Sequence, residues 1–155
     1  MTSPMIGAVT NRAETTAQFA VGVIHNDASD REFIYVQAGA GGLAANQAAF
    51  VDENFTAVAA TTVLSTYGGL VGVPQVAIAA NSFGWVQTLG NASLNVGASC
   101  AADVRLNTTT TAGRLDDDAT TGAKVIEGVK LNTANGGSVA DVSCFLNRPR
   151  VGATL

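Results

Sequence analysis

The stretch "LVGVPQVAIAANSFGWVQTLGNASLNV", residues 70–96, decides the fold. Residues 71–78 read as a strand whose Pro74 has no N–H to give a ladder, which places it at an edge or a bulge. "AANSFG" (79–84) is a turn, after which Trp85, Gln87 and Leu89 alternate with Val86 and Thr88 on a returning strand. Gly90-Asn91 reads as a second turn into a third strand at 92–96. Short strands with a turn every eight to twelve residues are the spacing of a small sandwich or barrel, and the expected fold is all-β. The stretch holds the only Trp of the chain and no His, Cys or carboxylate. Trp85 is therefore expected in the core or against another subunit, in a segment that fits and does not react.

Working outward, residues 33–38 alternate as a strand, "GAGG" (39–42) breaks it, and "AAFVDENFTAV" (48–58) reads as two strands around Asp52-Glu53-Asn54. Residues 60–67 form a helical turn or a loop closed by Gly68-Gly69. Further strands are expected at 104–107, 124–131 and 139–145, with "TANGGS" as a hairpin loop between the last two. The first 17 residues have no strong period and begin with a helix-incompatible Ser-Pro. They are set apart as an N-terminal arm or tail, with a short helix possible around 13–19, from a β-domain over 18–155.

The chain has 155 residues, enough for one domain with a real core. Its 27 Ala, 17 Gly and 17 Thr outweigh six Phe, two Tyr and one Trp, and only 13% of residues are charged. A surface this neutral repels its own kind weakly and favours association. The net charge of −4 and the scattered basic residues argue against nucleic acid or an anionic membrane as partner. No basic n-region, long apolar h-region or stretch of about 18 apolar residues occurs, so neither export nor a membrane span is expected.

Chemistry is hard to place. No nucleophile elbow, P-loop, dinucleotide fingerprint or zincin motif is present. His25 is the sole imidazole, and Ser29 with Asp27 or Asp30 lies close to it in one loop, where residues rarely hold triad geometry. Adjacent Asp52 and Glu53 point to opposite faces of a strand and cannot pair as acid and base. Asp116-Asp117-Asp118 lacks the alternation, glycine and glutamate of a calcium loop and reads as a solvated turn. Cys100 and Cys144 are too few for a zinc site; Cys144 falls on an apolar face with Val142 and Leu146, as a buried thiol, with a Cys100–Cys144 disulfide the lesser alternative. No catalytic residue, metal or cofactor is expected, and the chain is not read as an enzyme.

The ordered blocks "REFIYVQAGAGGLA", "VGVPQVAIAANSFGWVQTLG", "VGASCAADVRLNTTTTAGRLDDDATTGAKVIEGVKL" and "LNRPRVGATL" resemble the capsid decoration (cement) proteins of tailed bacteriophages, from about residue 18 onward. The resemblance implies a compact barrel-like or tulip-like β-fold made in the host cytoplasm. It implies trimers, or sometimes dimers, bound outside the phage major capsid protein shell at capsomer junctions, which they reinforce against packaged DNA. Candidate contacts with capsid or neighbouring subunit are Pro4, Met5, Ile6, Val9 and Arg12 in the arm, Trp85, and the Arg148/Arg150 pair. Two other classes remain open: a virion carbohydrate-binding or host-attachment module, which needs exposed aromatics on one face, and a trimeric β-fold nucleotide diphosphatase, whose phosphate loop and strand Asp are missing.

Overall fold

Ten strands account for the regular structure in a computed structural model that describes residues 7–155. In chain order they are β1 (Ile24–Asn26), β2 (Glu32–Ala38), β3 (Ala49–Val51), β4 (Thr56–Ala59), β5 (Leu70–Gly72), β6 (Phe83–Val96), β7 (Leu106–Thr108), β8 (Leu115–Asp116), β9 (Lys124–Leu131) and β10 (Ala140–Thr154). Among the described residues there is no helix, and the turn of helix considered at 13–19 is irregular chain. The all-β expectation holds.

The pairings close two rings. β2–β4–β3–β5–β10–β6 returns to β2, and β6–β8–β7–β9–β10 returns to β6. The two rings share the β6–β10 ladder, which runs from Ala140 opposite Val96 to Asn147 opposite Leu89. This sharing explains why β6 and β10, at 14 and 15 residues, are by far the longest strands. Closing a sheet on itself removes most exposed edges; β1, paired to β2 alone, keeps one.

Three strand expectations need correction. Gly90-Asn91 is not a turn: β6 runs straight through it, with Gly90 in the left-handed region (φ 93). A Cβ there would lie 2.9 Å from Arg31 Cγ, so glycine lets the strand irregularity sit against Arg31. The last strand does not stop at residue 145 but continues past Pro149 to Thr154. It does so by bulging: between the pairs Leu146–Val129 and Arg150–Glu127, three residues of β10 face the single Gly128. Arg148 takes φ 48 at the centre of this bulge, and Gly128 (φ 78) yields space where a Cβ would meet Asn147 O at 2.7 Å. The strand expected over 71–78 is also shorter than read: β5 spans only Leu70–Gly72, and Pro74 lies beyond it, where Val73 and Ile78 make isolated bridges.

Period-two alternation fills each ring. Ile34, Val36, Ala38, Val51, Ala57, Ile78 and Val86 form one apolar cluster in the first ring. Leu94, Val96, Leu106, Leu115, Ile126, Leu131, Leu146 and Val151 form another in the second, which also takes in both cysteines. The opposite face of β2 and β6 carries Phe33, Tyr35 and Trp85, all buried. Residues 8–23 cover this aromatic face.

That cover corrects the reading of the N-terminal segment. From Gly7 onward it is no free arm but a strap: Ala8, Phe19 and Val23 pack on the aromatics. Glu14 exchanges two backbone hydrogen bonds with Phe83 (2.8 and 2.7 Å). The Tyr35 hydroxyl donates to Glu14 Oε2 at 3.3 Å and accepts from the Gln18 amide at 3.1 Å. Pro4, Met5 and Ile6 lie outside the described residues.

Candidate functional site

The remaining candidate residues fall into two groups on different parts of the surface. Val9, Arg12 and Trp85 line one shallow hollow beside the strap, with Glu14, Gln18 and Phe19. Trp85 is only 2% exposed; its ring lies 5.0 Å from Tyr35, 5.4 Å from Phe19 and 5.7 Å from His25. It is a core residue, and no surface for stacking a sugar is left on it. Arg12 pairs with Glu14 at 2.9 Å across an exposed surface, a contact worth little by itself. His25 is buried against the same aromatics, where a satisfied core imidazole accounts for it.

Arg148 and Arg150 meet at the mouth of the first ring. Here β2, β4 and β5 begin, β3 ends and the β10 bulge passes, leaving an open recess of roughly 860 Å³. Its floor is apolar, from Ile34, Phe50, Phe55 and Leu70. Glu32, 7% exposed, is the one carboxylate sunk in it, and Arg148 at the centre of the bulge pairs with it. Arg148 Nη2 donates to Glu32 Oε2 at 2.8 Å, its Nε to Oε1 at 3.1 Å, and the Thr88 hydroxyl to Oε1 at 2.9 Å. Burial works to raise the Glu32 pKa, but the hydrogen bonds from Arg148 and Thr88 with the pull of the guanidinium overcome it and hold the carboxyl below its ordinary value. Arg150 has no carboxylate partner among the described residues; it reaches only the Gly68 carbonyl, at 3.3 Å.

Sequence reasoning missed the apolar residues around this mouth. Tyr67 is 79% exposed and Ile24 46% exposed on its rim. In the loop that carries Tyr67, Val63 and Leu64 are also 84% and 54% exposed. The signal was present as "VLSTY", an uncharged apolar run between threonines and Gly68-Gly69, but nothing in its spacing says which way it faces.

One group of metal-type donors exists among the described residues. Donor atoms of Cys100, Asp116 and Asp117 lie within 4.8 Å of one another. The geometry is that of a tied loop. Asp117 accepts from the Ala101 amide at 2.9 Å, and Asp116 caps the amides of Asp117 and Asp118. Burial, then the charge of Asp117, push the Cys100 thiol up to about 12. The triplet is less solvated than its composition suggests, since Asp116 packs on the bare Cα of Gly97. Both cysteines are free and buried, and Cys144 is likewise raised to about 12 by burial.

No protein-family model matches this sequence, and no curated protein matches it.

Proposed function

We propose that this protein is a structural virion component that binds the outer surface of a tailed-phage capsid and stabilises it at junctions between capsomers. The ordered sequence blocks that resemble decoration proteins suggest the reading, and the structural feature that carries it is the loop over residues 61–69. Val63 and Leu64 stand out of a loop with no charged residue. A monomeric surface seldom offers adjacent large apolar side chains exposed to this degree unless a partner covers them. The partner is a protein surface: an uncharged apolar projection gains nothing from phosphates but gains burial, about 25 cal/mol per Å², against an apolar recess.

Purified virions labelled with antibody against this chain and viewed by negative-stain microscopy test the reading. Label repeating over the shell is expected. Label confined to tail or fibres supports the host-attachment alternative, and unlabelled virions overturn both.

A further inference from the structure

We propose that the mouth of the first ring is a two-fold interface between two copies of this chain. The charges on its rim are laid out for that. Following the ring from β10, the next strand is β5, then β3 and β4, then β2 with β1 beside it, then β6. Arg148 and Arg150 sit on β10. Asp52 and Glu53 sit on the β3–β4 turn, between the second and third places round in a six-membered ring, and so toward the far side of the mouth. Between these two poles the rim is apolar, with Tyr67 before β5 on one side and Ile24 on β1 on the other.

A patch that is basic at one end, acidic at the other and apolar between is self-complementary about a two-fold axis. An axis in the plane of the mouth, along the Ile24–Tyr67 direction, sets Arg150 of each copy over the Asp52–Glu53 turn of the other. It sets Tyr67 against its own counterpart and Ile24 against its own. Arg150 and Glu53 have no ion-pair partner within the chain among the described residues, so both charges are free for the pairing. Arg148 is already neutralised by Glu32 and serves as a fixed wall.

A second observation points to the same place. Phe55 (φ 60) and Arg148 (φ 48) hold left-handed backbone that bulky residues seldom adopt, and both contribute side chains to this mouth. The other five such non-glycine residues, Asp30, Asn46, Asn81, Ser99 and Asp103, are small and polar and line other turns, whereas these two bulky residues fix the shape of the mouth. The resemblance noted above implies trimers before dimers; the chemistry of this rim makes the pair its natural unit. The inference does not depend on the capsid reading, because it concerns the purified chain alone.

The experiment is a charge swap read by sedimentation velocity on the full chain. Wild type is expected at twice the chain mass. Arg150→Glu and Glu53→Arg, each alone, set like charges face to face and are expected at the mass of one chain, with unchanged circular dichroism. Mixing the two variants in equal amounts sets opposite charges face to face again at both contacts of the pair, with their signs exchanged at one of them, and is expected to restore the double mass. Arg105→Glu, on the other ring, is the control and leaves the mass unchanged. A wild type of single-chain mass at every concentration overturns the proposal and leaves the mouth to another partner. A three-chain mass that both reversals leave intact, or two folded variants that do not recombine, overturns it as well.

Discussion

Arg148 shows how one residue's backbone sets another's charge. The β10 bulge turns its side chain across the mouth to Glu32, and Gly128 makes the bulge possible. Replacing Gly128 with Ala forces an L-residue to φ 78 and drives its Cβ toward Asn147 O and Pro149 Cα. The left-handed backbone alone costs about 1–2 kcal/mol, and thermal melting of Gly128→Ala should show at least that loss. Glu32 gives a pH signature. Its folded pKa lies below the ordinary 4.5, so the stabilisation is complete above that value and is lost as pH falls through the lower, folded pKa. Wild type should therefore exceed Glu32→Gln in stability at pH 7, with the gap narrowing below about pH 4.5. A gap that is constant between pH 7 and pH 3 contradicts this assignment.

At the scale of elements, the strap is the feature that local propensity least explains. Residues 8–23 have no period, yet they cover an aromatic face that would otherwise be exposed. Phe19 is the chief contact, at 5.4 Å from both Tyr35 and Trp85. It is only partly buried, so Phe19→Ala should cost about 2–3 kcal/mol, below the 3–5 of a fully buried aromatic. The single Trp reports on it directly: emission should shift to longer wavelength as water reaches Trp85. Trp85→Ala removes the centre of the cluster and should cost about 3–5 kcal/mol in chemical denaturation. If Phe19→Ala leaves both emission and stability untouched, the strap is not a structural cover.

For the whole molecule, the shared β6–β10 ladder ties two cores into one body, and each ring buries a cysteine-bearing or aliphatic cluster behind closed walls. Both thiols, raised to about 12 by burial first of all, should be inert to Ellman's reagent in the native protein. Two thiols per chain should react in denaturant, at a native-state rate that tracks global opening. Rapid reaction of either thiol under native conditions would mean that the second ring opens locally. On the outer surface, Val63→Asp with Leu64→Asp should leave melting unchanged, since both side chains are exposed, while lowering occupancy on virions. Equal occupancy would move the capsid contact elsewhere.

The alternation of 33–38, the breakers at 39–42 and 52–54, the hairpin loop at 133–138 and the lack of a sustained helical period determined an all-β chain. These are local signals, since each depends on side chains two residues apart or on the φ a turn demands. The same signals put Cys144 on a buried face and left Trp85 either in the core or against another subunit, while the local density of charge at 148–150 brought Arg148 and Arg150 forward as a pair. Tertiary structure decided the rest. Gly90 read as a turn because a glycine before an asparagine allows one; only the β2 and β10 ladders on either side hold the chain extended there. The last strand read as ending at residue 145; only Gly128 across the ladder shows that it bulges and goes on past Pro149. The mouth joins residues from β1 to β10, and the opposition of Arg150 to Glu53 exists only once the first ring has closed. Local chemistry sets which segments are strands, whereas the order in which strands pair is a long-range choice, and that choice put these charges across one opening.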